Sequence, residues 1–302
     1  MQGMIDLQGL TKGFGQALAV DGLTMRIEEG RTLGFFGPEG AGKTTTIKMM
    51  LGFLKPDAGQ GQIKELDIIQ DSVRIRELVG YLPETNQFYD YMTLEELLQF
   101  TSSFYPGWNH QLAAEFIEYF QLPKKKRMGS LYQEDKRLIS LVLALAPEPE
   151  LLILDQPTTG LSTIMKQRLL SLIKERLSAA GMTILYASDS FSEIKSVADQ
   201  VAFIHQGRLL SVRGRDQLTT ESTSVRVVFQ QEPDPELLED PAVEEYTRED
   251  KAFIFSVRQN LLGFLEQLEL EPHFALDIIE ESPEQIIQQQ MRGDGDEEGF
   301  TL

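Results

Sequence analysis

The feature that most constrains this chain is a run of eight residues, Gly37-Pro38-Glu39-Gly40-Ala41-Gly42-Lys43-Thr44, which follows the pattern G-x-x-x-x-G-K-[ST]. An apolar, strand-like run at 31–36 precedes it. A helical pattern opens at Lys43 and reaches about residue 54, with Pro56 marking its end. In that context the glycines let successive backbone N–H groups curl around the β- and γ-phosphates of a nucleotide, at the positive end of a helix. Lys43 adds a point charge there, and the Thr44 hydroxyl faces Mg²⁺.

The rest of the chain supplies a sheet to carry that loop. Strand-like runs at 4–10 and 23–27 are punctuated by glycines, helical periodicity occupies 92–121, and 138–145 reads as a helix. A strand at 151–154, a helix at 164–178, a strand at 183–187 and paired strands near 201–204 and 208–212 follow. Strands alternating with helices argue for an α/β fold with a mostly parallel sheet covered on both faces. The strand Leu151-Leu152-Ile153-Leu154 ends in Asp155, the second carboxylate that a phosphate-bound Mg²⁺ needs.

From about residue 218 the texture changes to that of a small α+β module. Val225, Val227 and Phe229 alternate with polar residues, as do Phe253, Phe255 and Val257, with a helix at 261–268 and another strand at 274–278. Ser282-Pro283-Glu284-Gln285 has the capping pattern of a last helix. Residues 232–250 are acidic and hold three prolines, and they read as a mobile solvated loop; 294–298 reads as an acidic, disordered tail.

At 302 residues, with 41% hydrophobic and 25% charged residues, the chain has globular composition, which excludes a disordered, collagen-like or coiled-coil protein. Its net charge of -19 would repel a polyanion and argues against nucleic acid as a partner. That charge is unevenly divided. Residues 216–302 hold 5 basic and 22 acidic residues, whereas residues 1–215 hold 23 and 25 and are nearly neutral, so phosphate binding at Lys43 is unopposed. The absence of cysteine excludes a disulfide framework and thiolate metal sites and fits a reducing compartment. No apolar run reaches the roughly 18 residues of a membrane span, and residues 1–10 lack a signal-peptide pattern, so a cytoplasmic protein is expected.

The order of motifs resembles the nucleotide-binding subunit of an ATP-binding cassette (ABC) transporter. Phe14, in Thr11-Lys12-Gly13-Phe14-Gly15, sits where that family places an aromatic that stacks on adenine. The phosphate loop follows, then Gly80-Tyr81-Leu82-Pro83-Glu84, which is similar to the family's Q-loop segment. Asp155 with Pro157-Thr158-Thr159-Gly160-Leu161 resembles the Walker B strand and D-loop, and 201–210 resembles the hairpin that closes the domain. The resemblance covers about residues 4–215. It implies a P-loop NTPase domain of ABC type over 1–217, with a helical subdomain at about 85–150, followed by an accessory α+β domain over 218–302. ATP and Mg²⁺ are the implied cofactors, held by Phe14, Val20, the phosphate loop through Thr44 and Thr45, and Asp155, with Glu84 as a further metal contact.

Several positions depart from the family pattern. Gln156 stands where the catalytic Glu is usual, and an amide is a far poorer proton acceptor than a carboxylate. Leu131, Tyr132, Gln133, Glu134 and Asp135 occupy the place of the L-S-G-G-Q signature, so the Ser and both glycines that approach a partner's γ-phosphate are replaced by bulk and acidic charge. Asp189 stands at the switch His, Ser162 at the D-loop Asp and Glu84 at the Q-loop Gln. A one-residue slip in that alignment restores no signature nearby. Gln156 alone would fit an engineered trap as well as a natural change; five departures together favour natural degeneracy.

The resemblance implies two subunits sandwiching two ATP molecules beneath a separate polytopic permease, in a homodimer or heterodimer, at the inner face of the cell membrane. The departures imply slow or absent hydrolysis, with export the implied direction. The alternative reading is a soluble, ATP-responsive interaction protein of the same fold without a permease.

Overall fold

The computed structural model describes residues 3–214, 223–238, 240–249, 252–257, 264, 267–268 and 271–279. The chain divides into two compact units, Met1–Arg213 and Gly214–Leu302.

In the first unit, β1 (Gly3–Phe14) pairs antiparallel with β2 (Ala17–Glu28) and with β4 (Ala58–Ile63), and β4 pairs with β5 (Leu66–Asp67). The order of this sheet is β2-β1-β4-β5. The second sheet contains β3 (Thr32–Phe36), β6 (Val79–Leu82), β7 (Leu151–Asp155), β8 (Thr183–Ser188), β9 (Gln200–His205) and β10 (Arg208–Gly214), in the order β10-β9-β3-β8-β7-β6. Parallel pairing joins β3 to β8 and β9, β7 to β8, and β6 to β7. Every residue of β3, β7 and β8 is buried, which is why these strands read as unbroken apolar runs rather than alternating ones. Alternation of strands with helices anticipates this parallel sheet but not the separate antiparallel one. β4 carries two glycines and two glutamines among six residues and so shows no strand pattern.

Helix α1 (Lys43–Met50) packs against β2, β4 and β7, so its buried Ile47, Met49 and Met50 join the two sheets. It stops short of the expected residue 54. Gly52 takes a positive φ of 67°, its N–H donates to the Met49 carbonyl (3.1 Å), and the Phe53 N–H donates to the Lys48 carbonyl (2.9 Å). That is a Schellman termination, in which glycine rather than the later proline ends the helix.

Helices α2 (Ser72–Leu78), α3 (Leu94–Ser102), α4 (His110–Tyr119) and α5 (Gln133–Leu145) follow. α3 opens with a reciprocal capping box between Thr93 and Glu96. α5 packs against α3, α4 and β6. It begins five residues before the expected 138, because Glu134 and Asp135 complement the positive end of its first turn. α6 (Thr163–Ser171) continues as π-helical turns over Leu172–Ser178, and α7 (Phe191–Val197) packs on β3 and β8.

The second unit is an antiparallel sheet of β11 (Thr223–Phe229), β12 (Val243–Glu249), β13 (Ala252–Val257) and β14 (His273–Ile279), in the order β12-β13-β11-β14. Val225, Val227, Phe229, Phe253, Phe255, Val257, Phe264 and Leu268 form its core. The expectation of a mobile loop over 232–250 is wrong: the segment holds a helical turn, Pro235–Leu238, and the strand β12. The sheet order makes β12 an edge strand, where charged sequence is tolerated, so acidic composition there is no sign of a loop. Within the expected helix at 261–268, the described Phe264, Gln267 and Leu268 are helical; the helix expected from 282 and the acidic tail at 294–298 lie outside the described residues.

Packing of α7 on β3 accounts for Gly34. A Cβ there would collide with the Ile194 side chain and stand 3.2 Å from Ala198 Cβ. Gly34→Ala is expected to destabilise the first unit by about 1–3 kcal/mol, as overpacked cores do, and urea unfolding would measure it. An unchanged midpoint would mean that α7 is not seated on β3 as described.

Candidate functional site

The phosphate loop leaves the buried strand β3 and enters α1, as its sequence context predicts. Gly42, the N-cap of α1, has φ 103°, and a Cβ on it would collide with the Ala19 carbonyl oxygen, so only glycine closes the loop here. Gly37 and Ala41 are buried, Pro38 is half-buried, and Glu39 and Gly40 are exposed at the tip. Lys43 is only 5% exposed and folds back on its own loop, its Nζ donating to the carbonyls of Gly37 (2.6 Å) and Pro38 (2.8 Å). Burial lowers its pKa, opposed by the carboxylates of Asp189, Asp155, Glu84 and Glu39.

Those four carboxylates are the dominant charge of the site. Thr44, half-buried next to half-buried Thr45, donates its hydroxyl to Asp155 Oδ2 at 2.8 Å, and Glu84 Oε2 lies 3.4 Å from the same hydroxyl. Asp155 is fully buried at the end of β7, and its second oxygen, Oδ1, has no hydrogen-bond partner. A buried carboxylate oxygen without a donor, beside a hydroxyl and a second carboxylate, fits a divalent cation. Among the described residues no group of three or more His, Cys, Asp or Glu could hold a metal alone. The donors suit a Mg²⁺ that takes its remaining oxygens from phosphates and water.

Three of the positions that depart from the ABC pattern, Gln156, Asp189 and Glu84, lie around Lys43 and Asp155, whereas Ser162 and the 131–135 segment form a second group at the start of α5. Gln156 follows Asp155 with φ 50°, its N–H donating to the Ala187 carbonyl at 2.9 Å. Asp189 is exposed just beyond β8, and its charge acts on Lys43 more strongly than that of any other carboxylate. Leu131 is buried, Tyr132 is 80% exposed at the N-cap of α5, and Gln133, Glu134 and Asp135 form its first turn. Glu134 does not project freely, since its Oε1 accepts from the Ser162 N–H (2.8 Å) and hydroxyl (2.6 Å). Phe14 is 55% exposed at the tip of the β1–β2 hairpin, a ring available for stacking. Val20, expected at the nucleotide, is fully buried against Gly42 and Gly207.

Two residues that hold the site together are missed by sequence reasoning. Arg137 of α5 is 3% exposed, and its guanidinium donates to five backbone carbonyls. These are Pro157 (3.2 Å), Glu84 (3.0 Å), Asp155 (2.6 Å), Pro83 and Gln156. Glu193 of α7 is also buried; its Oε2 accepts from Thr158 Oγ1 (2.7 Å) and Tyr186 Oη (2.8 Å), and Lys166 pairs with it. The one available signal was Arg137 itself, a charge immediately before the apolar stretch of α5.

Strand, glycine loop, buried lysine and a hydroxyl paired with an aspartate define a P-loop nucleotide-binding protein. The family model described as ABC transporter matches residues 20–159. The Nod factor export ATP-binding protein I of Burkholderia lata is 34% identical over 78% of this chain and 79% of its own length. The bacitracin transport ATP-binding protein BcrA of Bacillus licheniformis is 36% identical over 70% and 69%. A solved ATP-binding subunit of an ABC transporter superposes with a TM-score of 0.65 at 25% identity, covering 71% of this chain and 91% of its own. This chain belongs to the ATP-binding proteins of ABC transporters.

Burial raises the Asp155 pKa above the ordinary carboxylate range, with the Thr44 hydrogen bond acting the other way. The folded state therefore keeps this proton to higher pH than the unfolded chain, and stability falls as pH rises from the acid range through the raised value. Asp155→Asn is expected to raise the melting temperature of the nucleotide-free protein at neutral pH, with the gain vanishing below the ordinary carboxylate range. The same variant should lose the Mg²⁺-dependent part of ATP affinity. Thermal melts against pH, with calorimetric titration in Mg²⁺ and in chelator, would check both.

Proposed function

We propose that this chain is the MgATP-binding subunit that gates or energises a separate polytopic permease in an export system, and that it turns ATP over slowly or not at all. The observation that carries this reading is the contrast within one site. Lys43, Thr44 and Asp155 have the geometry of a nucleotide and Mg²⁺ site, while Gln156 stands where a general base would be needed. Four carboxylates around one lysine repel a bare triphosphate, so binding should depend steeply on Mg²⁺. The nucleotide then acts by population shift, favouring a closed dimer in which each site combines one subunit's phosphate loop with the other's signature turn. Tyr132 and the first turn of α5 would stand at the partner's γ-phosphate, and Phe14 would stack on adenine.

A permease is supported by three observations. Among the described residues no helix is long and apolar enough to cross a membrane. Relatives are named for Nod factor export and for linearmycin resistance. A groove of about 210 Å³ between α1, β6, α3 and α5, lined by Phe53, Tyr81, Tyr105 and Leu143, offers an apolar seat beside the Q-loop segment.

Purified protein should bind ATP in Mg²⁺ and release it in chelator, and Lys43→Ala should abolish binding. Turnover should be far below that of family members with a complete site. Gln156→Glu alone should raise it less than about tenfold, because Asp189 and the altered signature also limit, whereas a missing base alone would return about a hundredfold or more. Brisk turnover by the unaltered chain would sink the slow-hydrolysis reading. Phe53→Ser should abolish co-purification of a polytopic partner from membranes without changing ATP affinity; failure of the unaltered chain to retrieve any such partner would favour a soluble, ATP-responsive role.

A further inference from the structure

We propose that the helical subdomain carries its own binding surface for anionic lipid headgroups, formed by Lys124, Lys125, Lys126 and Arg127 with the aromatic side chains of Tyr89, Tyr91, Phe100 and Phe104. The four basic residues are consecutive and exposed in the connection between α4 and α5. None of them forms an ion pair with a described residue, although seven such pairs occur elsewhere. Four consecutive cations, of which Arg127 alone feels a nearby carboxylate, that of Glu96, are unusual in a chain with a net charge of -19.

Backbone pairing sets this run directly against the segment that carries the tyrosines. The Met128 N–H donates to the Met92 carbonyl (2.8 Å), the Gly129 N–H to the Asp90 carbonyl (3.0 Å) and the Glu95 N–H to the Lys124 carbonyl (3.2 Å), and Thr93 bridges to Arg127. Tyr89, Tyr91, Phe100 and Phe104 are 53%, 66%, 42% and 64% exposed. They form a continuous cluster, with ring centroids 5.7 Å apart for Tyr89 and Tyr91, 6.2 Å for Tyr89 and Phe100, and 5.1 Å for Phe100 and Phe104. Nearby carboxylates are partly engaged: Glu96 accepts from the Thr93 N–H and hydroxyl (2.8 and 3.1 Å), and Glu115 pairs with Arg176 (3.0 Å). Asp90 and Glu95 are the acidic residues left on the paired segments.

Exposed aromatics beside exposed lysines match the chemistry of a membrane interface. Rings settle at headgroup depth, and each cation near an anionic leaflet adds to the attraction. A bilayer surface also needs no concave complement, and the apolar groove lined by Phe53 and Tyr105 is a separate feature.

The inference is independent of ATP turnover and of any permease, and the purified full chain tests it. It should sediment with vesicles of phosphatidylcholine mixed with phosphatidylglycerol, and not with phosphatidylcholine alone, at low salt. Binding should fade as salt shortens the Debye length. The combined variant Lys124→Gln, Lys125→Gln, Lys126→Gln, Arg127→Gln should weaken the partition by about tenfold or more, with MgATP affinity unchanged as the check on folding. Tyr91→Ser with Phe104→Ser should weaken it while leaving its salt dependence in place. Three results would overturn the proposal: no sedimentation of the unaltered chain, equal sedimentation with neutral vesicles, or full binding by the neutralised variant. Loss of a co-purifying protein from the neutralised variant, without vesicle binding by the unaltered chain, would reassign the patch to a protein contact.

Discussion

One guanidinium organises the nucleotide face of this protein. Arg137 sits in a pocket made of backbone carbonyls from the 83–84 turn and the 155–157 strand end, and it ties these two segments to each other. A buried cation survives only where its donors are met. Here the carbonyls satisfy the donors, and the charges of Asp155 and Glu84 favour the cationic form against burial. Because Arg137 belongs to α5, the position of Asp155, of Glu84 and of the turn beginning at Tyr132 are set together. Local shape at the Asp155 edge is thus inseparable from the docking of α5.

The electrostatics of the phosphate loop follow from the same arrangement. Lys43 donates to the carbonyls of Gly37 and Pro38, so internal hydrogen bonds help hold the loop's shape. The surrounding carboxylates make the site a poor host for an anion alone and a good one for a magnesium complex. Asp189 deepens that bias. Replacing the neutral amide at 156 with a carboxylate would add a fifth negative charge as well as a base.

Legibility in the sequence tracked the length scale of each interaction. The phosphate loop, α1's start and the buried strands were readable because their determinants are contiguous: eight loop residues, or an unbroken apolar run such as 151–154. The nearness of Asp155 to Thr44, 111 positions away, was legible only because a P-loop requires a second carboxylate. Arg137 and Glu193 were invisible, since their partners are backbone oxygens and hydroxyls that only the folded chain assembles. β12 reads as a loop in sequence because acidic composition hides its place at the edge of a sheet, and the burial of Val20 against Gly42 and Gly207 leaves no pattern in sequence.

α1 has two functional ends. Its first residue is the lysine of the phosphate loop, and its Schellman turn delivers Phe53, 57% exposed, to the apolar groove beside α3 and α5. Eight helical residues span about 12 Å, and the helix is held between two sheets. The phosphate loop and the groove are therefore the two ends of one short, packed element. Gly52, chemically silent and remote from the loop, is the residue that sets where Phe53 stands in that groove.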